Sequence, residues 1–492
     1  MRSTPRRLTA LLALALPVVL AGAEIILPPV FSDHMVLQRD RAVKVWGQAA
    51  PDETVTVSFA DREATARAGG DGEWALYLGP FTASAEARAL TVTGTGGATR
   101  TIRDVLVGEV WLASGQSNME KPLGEMRGQK PTDNHGEEIA AADHPTLRLF
   151  QVPHKGEVKR PEVQMRWLPC SPETVDAIPF SAAAYFFGRE LVRELGVPVG
   201  LIHSSYGGTM IEAWTPREAF RRDPRLEPLL EKAYFAWVEG VQATELFESM
   251  IRPVLPFTLR GFLWYQGEAN VMVADGEIYR AKKRALVEGW RRAWNNPGAP
   301  FYFVQLAPFN YSEREQFPEK LTTGALPHFW EVQASCTEIP YTGMIVTTDL
   351  AGNARDIHPT NKRDIGLRLA GLALAETYGR TERLVHSPAF ADIKRRSGGR
   401  LALRFEHTGD GLRTRDGEAP SHFLIAGKDG TFVEAEAEID GDSVILHSPE
   451  VPRPRHARFA WHETANPNLV NSAGLPALPF RTDTLPVPLT RD

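Results

Sequence analysis

The stretch VLVGEVWLASGQSNME, residues 105–120, is an unbroken apolar strand that runs into a serine placed to open a helix. Continuous rather than alternating apolar residues mark a strand buried on both faces, as in a parallel sheet covered by helices. Similar runs at 199–203, 261–265, 301–306 and 344–348 repeat the texture, and helical patterns fill 182–195, 277–294 and 362–378 between them. This alternation over residues 104–383 predicts an α/β unit with a parallel sheet flanked by helices. Ligand sites in such sheets lie beyond the carboxyl ends of the strands, so the residues just past each strand end carry the most functional information.

The flanking regions differ in texture. Residues 24–103 show short β-like runs, at 42–46 and 54–58, separated by Gly and Asp turns, which suggests an N-terminal β-sandwich domain. From 384 to 492 β-like runs return at 401–405, 422–426 and 443–446, predicting a second, C-terminal β domain. Residues 121–180 are rich in Pro, Gly and charge and read as a long loop or insertion beside the site.

A chain of 492 residues with 43% hydrophobic and 24% charged residues is ordinary for a soluble protein of two or three domains. The formal charge of −6 gives no reason to expect nucleic acid as a partner. Residues 1–23 have the form of a secretory signal: Arg2, Arg6 and Arg7, then an apolar run, then Ala21-Gly22-Ala23. The expectation is a secreted or periplasmic protein with no integral membrane segment after signal cleavage. Cys170 and Cys336 allow either a disulfide or two buried thiols. The histidines lack metal-ligand spacing, so neither a metal nor another cofactor is expected. The sequence assigns no oligomeric state.

Ser117 alone reads first as a helix cap; its alternative is a nucleophile whose own N–H faces a developing oxyanion. Met119 stands where a Gly-x-Ser-x-Gly elbow has its second glycine, so that motif is absent. His358, in Asp356-Ile357-His358-Pro359, has the chemistry of a general base with Asp356 as its nearest orienting carboxylate, against ordinary loop roles for both. Gly207-Gly208 is either a tight turn or a backbone oxyanion donor, and Gln266 either a turn residue or a side-chain donor. Glu268 is a candidate to support the base or hold the site by hydrogen bonds. Trp214 is a candidate sugar platform or core residue, Arg355 a carboxylate partner or surface residue, and Asp349 a substrate ligand or turn cap. Ser117, Gly207-Gly208, Gln266 and His358 all fall past predicted strand ends, and one shared site explains them better than separate structural roles.

Taken in order, LPPVFSDHMVLQ at 27–38, GQSNM at 115–119, GGTMIEAW at 207–214, WYQGE at 264–268, DIHP at 356–359 and NLVN at 468–471 resemble the sialate O-acetylesterases, a branch of the SGNH hydrolases. The resemblance covers nearly the whole chain after residue 23. It implies an SGNH-type fold, Ser117 as nucleophile, His358 as general base, and the Ser117 amide, the Gly207-Gly208 segment and Gln266 as oxyanion donors. Asp and His here are separated by one residue instead of two, which leaves Asp356, Glu268 or a backbone carbonyl to orient His358. The implied activity is acetyl-ester hydrolysis on an acetylated carbohydrate, like that of a sialate 9-O-acetylesterase. Acetylated xylan or pectin is the alternative substrate, and a catalytically silent carbohydrate-binding protein the alternative of another class.

Overall fold

The strand Thr99–Gly115 serves two layers of structure at once. Its first part pairs antiparallel with Ser84–Gly94, and its last part pairs in parallel with Val199–Ser205 on one side and Gly261–Tyr265 on the other. The computed structural model describes residues 24–126, 128–154, 165–232 and 241–491. The expected signal segment, residues 1–23, lies outside them.

The main sheet runs in the order Thr342–Ile345, Phe301–Val304, Gly261–Tyr265, Thr99–Gly115, Val199–Ser205, His144–Gln151, Trp167–Cys170. Neighbours are parallel except at the last pair, which is antiparallel. The α/β reading of this region therefore holds. One part of the sequence reading is corrected: 121–180 is not wholly loop, because it supplies His144–Gln151 and Trp167–Cys170 to the sheet edge. Pro145, Pro169 and Arg148 disguise these strands. Pro169 lies on the edge strand, Pro145 falls at the irregular start of its strand, and Arg148 is buried because its guanidinium pairs with Asp104 at 2.5 Å.

Alternation along the strands delivers side chains to both faces. On one face Trp111 packs on Phe187 and Tyr302 and donates to the Tyr378 hydroxyl at 3.0 Å, below the helices Ala182–Leu195 and Lys362–Glu376. On the other, Phe262, Trp264 and Phe301 pack against Trp290 of the helix Ile278–Ala293. Each of these aromatics removes a large apolar area from water, which is what holds the helices to the sheet.

In the N-terminal region Val43–Gln48 pairs with Glu73–Leu78, and Thr54–Phe59 pairs with Arg62–Arg67 and Ser84–Gly94. Their inward residues, including Val45, Val57 and Trp74, join the same apolar core as the main sheet. The boundary drawn at 103/104 thus falls inside one continuous strand. The C-terminal β region has its own core around Leu403, Ile425, Val444 and Phe459. Its last stretch returns to the α/β unit, where the Thr322 N–H and hydroxyl donate to the carbonyls of Leu489 and Pro488. Cys170 and Cys336 are free, buried thiols, which excludes the disulfide alternative. No helix among the described residues is long and apolar enough to cross a membrane.

The helices Ala182–Leu195 and Lys362–Glu376 approach closely at Gly366, where a Cβ would lie 2.4 Å from Phe186 Cβ and 2.7 Å from the Ala183 carbonyl oxygen. Gly366→Ala is expected to cost about 1–3 kcal/mol by overpacking. A thermal unfolding midpoint equal to that of the unsubstituted chain would contradict this packing.

Candidate active site

The central strand ends where it must. Gly115 has φ +147°, and a Cβ there would sit 2.1 Å from the Tyr265 carbonyl oxygen, so no side chain fits between the two strand ends. The chain turns at Gln116, which occupies the cap position of the short helix Ser117–Glu120 and makes no side-chain cap bond. Ser117 is therefore the first helical residue and not its cap. Its hydroxyl is left available and points to His358, with Nε2 2.9 Å from Oγ.

His358 lies in the loop between Thr342–Ile345 and Lys362–Glu376. Burial, and after it the neighbouring Lys362, lowers its pKa to about 4, while the Asp356 carboxylate pulls the other way. The imidazole is thus neutral near pH 7, the state that can accept a hydroxyl proton. Asp356 Oδ1 accepts the His358 backbone N–H at 3.0 Å but stands 4.0 Å from Nδ1. That distance is beyond a hydrogen bond. Asp356 fixes the turn that carries the ring and stays near enough to favour an imidazolium.

The histidine loop is tied to the serine turn by Asn118. Its Nδ2 donates to Glu268 Oε1 at 2.5 Å and to the Ile357 carbonyl at 2.9 Å, and its Oδ1 accepts from Lys362 Nζ at 2.6 Å. Glu268 and Lys362 are both buried, and burial drives each toward its neutral form: the carboxyl up, the amine well down. Glu268 does not line the pocket; it is joined through Asn118 to the Ile357 carbonyl, one residue before His358.

Ser117 and His358 open into a pocket of about 750 Å³. Gly207 and Gly208 border it on one side, Met126 to Lys130 (save the undescribed residue 127) on another, and Phe309, Arg314, Phe317 and Arg355 form further walls. Gly208 has φ +70°. Among the described residues the N–H groups of Ser117 and Gly208 have no backbone acceptor.

Several sequence-derived roles do not survive this geometry. The Gly207 N–H is committed to Glu120 Oε2 at 2.7 Å, and a Cβ at 207 would lie 3.1 Å from Ser117 Cβ, so this glycine serves close approach rather than oxyanion donation. Gln266 is fully buried, and its Nε2 donates to the Thr209 carbonyl at 3.1 Å and to Asn270 Oδ1 at 2.7 Å. Turning it toward Ser117 would break two buried hydrogen bonds, so it braces the segment after Gly208 instead. Trp214 is fully buried, donates to Thr209 Oγ1 at 3.0 Å and packs edge-on against Trp264; it has no face for a sugar. Asp349 pairs with Arg368 at 2.5 Å and does not line the pocket that holds Ser117 and His358. Arg355 does line the pocket and is exposed. The sequence pattern gives no role to Asn118, Glu120 or Lys362; each acts through contacts with residues distant in sequence, which no local pattern announces. No cluster of side chains suited to hold a metal occurs among the described residues.

A family model described as carbohydrate esterase, sialic acid-specific acetylesterase, matches residues 107–378. The chain is 29% identical to the sialate O-acetylesterase of Mus musculus over 401 residues, 70% of this chain and 72% of that one. It is 28% identical to the sialate O-acetylesterase of Homo sapiens over 412 residues, 75% of each. The crystal structure of a carbohydrate acetylesterase from Xanthomonas citri superposes with a TM-score of 0.81 at 37% identity, covering 94% of this chain and 100% of that one.

If His358 is the proton acceptor, its burial sets the acid limit of activity. A group with a lowered pKa stays neutral until the pH falls to that value, so kcat/KM for an aryl acetate should decline on the acid side around pH 4. A decline centred at the ordinary imidazole value of about 6.5 would contradict the buried environment described here.

Proposed function

The chain belongs to the sialic acid-specific acetylesterase family of carbohydrate esterases, and from this premise we propose that it is an exported carboxylic ester hydrolase that removes acetyl groups from sugars through an acetyl-enzyme on Ser117. The observation that carries the reading is the 2.9 Å contact between Ser117 Oγ and neutral His358 Nε2 at the floor of an open pocket. Export rests on the signal-like pattern of residues 1–23.

In the acylation step Ser117 Oγ bonds to the acetyl carbonyl carbon while His358 Nε2 takes the hydroxyl proton. The carbonyl oxygen becomes an oxyanion, accepting from the N–H groups of Ser117 and Gly208. Asp356, 4.0 Å away, favours the imidazolium formed at this stage. Collapse breaks the bond to the sugar oxygen, which leaves with the proton from His358. In deacylation His358 takes a proton from water, the water oxygen adds to the acetyl carbon, and acetate departs as the proton returns to Ser117.

The names of the curated relatives support an O-acetylated sialic acid as the substrate. The exposed Arg355 at the pocket supports the same choice, because a guanidinium pairs well with a sugar carboxylate. Acetate release measured across acetylated sialic acid, acetylated xylan and acetylated pectin tests this choice. Preference for the sialic acid supports it, and preference for either polysaccharide overturns it.

Ser117→Ala and His358→Ala are each expected to lower kcat by about 10³-fold or more while leaving the fold intact. Near wild-type hydrolysis by purified Ser117→Ala would overturn the acetyl-enzyme mechanism.

A further inference from the structure

Glu463 belongs to the C-terminal β region, yet its hydrogen bonds reach into the α/β unit. It is 1% exposed. Its Oε2 accepts the Ser312 backbone N–H at 3.0 Å, its Oε1 accepts the Ser312 hydroxyl, and its carbonyl accepts the Phe309 N–H at 2.9 Å. Arg491 closes the same grip by donating to the Ser312 carbonyl at 2.6 Å. A carboxylate is costly to bury and stays in place only where its hydrogen bonds repay the loss of water.

The segment that Glu463 holds is a wall of the pocket. Phe309, Arg314, Gln316 and Phe317 all line it. The same segment is joined to the histidine loop, because the Asn310 N–H donates to the Ala354 carbonyl at 3.0 Å and Arg314 Nη2 donates to the Arg355 carbonyl at 2.7 Å. Arg314 also lies over the Phe309 ring, 4.8 Å from its centroid. Arg314 and Gln316, backed by the buried Phe309 and Phe317, present polar groups suited to the rim of oxygens on a sugar ring. An acetyl group at Ser117 occupies a small part of a pocket of about 750 Å³, so this wall faces the alcohol part of the ester.

We propose that Glu463 is a positioning residue for carbohydrate binding: through Ser312 and Phe309 the C-terminal β region fixes the wall formed by residues 309–317, and so sets the preference for a sugar ester over a small one. The inference rests on the acetylesterase reading above. It makes the C-terminal region part of the substrate site rather than a separate glycan-binding module.

The test compares p-nitrophenyl acetate with sucrose octaacetate, which carries an ester at every hydroxyl and so does not depend on positional preference. Glu463→Gln, Ser312→Ala and the double variant are assayed on both. Each single variant is expected to raise KM for sucrose octaacetate about three- to tenfold with kcat nearly unchanged, the signature of lost uniform binding. On p-nitrophenyl acetate, kcat/KM should stay within about twofold of wild type, and the double variant should fall short of the sum of the two singles, because both substitutions act on the same Glu463–Ser312 contact. Ser312→Ala keeps the test open if Glu463→Gln folds poorly. An unchanged KM for sucrose octaacetate, or equal losses on both esters, would overturn the proposal. A wild-type protein inert toward both esters would instead overturn the esterase reading on which it rests.

Discussion

Asn118 joins the two halves of the site: the turn that presents Ser117 and the loop that presents His358. Its amide nitrogen serves Glu268 and the Ile357 carbonyl together, and its oxygen is held by Lys362. An amide so satisfied has one orientation, and that orientation leaves His358 Nε2 beside Ser117 Oγ. The residue next to the serine thus keeps the histidine in range, and the 2.9 Å contact depends on a buried network rather than on the loop's own rigidity. The same network sets the electrostatics, because the burial that it requires also keeps the imidazole neutral.

Backbone close approach supplies the second constraint. Gly115 lets the central strand end against Tyr265, and Gly207 lets the neighbouring loop end against Ser117. Parallel pairing puts both ends at the same level, Gly115 opposite Ser205 and opposite Tyr265. Ser117 and Gly208 both line the pocket, and among the described residues neither N–H has a backbone acceptor. Beyond the sheet, the N-terminal strands share its core, and Glu463 of the C-terminal region is bonded to Ser312, in the segment whose neighbours line the pocket.

Much of this was legible in the sequence. The unbroken apolar runs marked the parallel strands, and 261–265 and 182–195 matched the observed Gly261–Tyr265 and Ala182–Leu195. That Ser117 and His358 lie past strand ends followed from the same pattern, with no contact known. The illegible parts have physical causes. His144–Gln151 reads as polar because Arg148 is buried only through its pairing with Asp104. Side-chain direction at a strand end is set by distant partners: Gln266 turns to Thr209 and Asn270, and Trp214 turns into the core. The residue type at either position is compatible with both directions. The glycine pair was recognised, but which of its two amides stayed uncommitted depended on Glu120.

Activation of Ser117 as the nucleophile is open to a direct chemical test. Treatment with the organophosphate diethyl p-nitrophenyl phosphate, followed by peptide mass mapping, tests it without reference to any natural substrate. The account predicts loss of esterase activity in step with one diethylphosphoryl adduct on the peptide carrying Ser117, and slow labelling when His358 is replaced by alanine. Inactivation with the adduct on another residue, or persistent hydrolysis by protein fully labelled at Ser117, would contradict it.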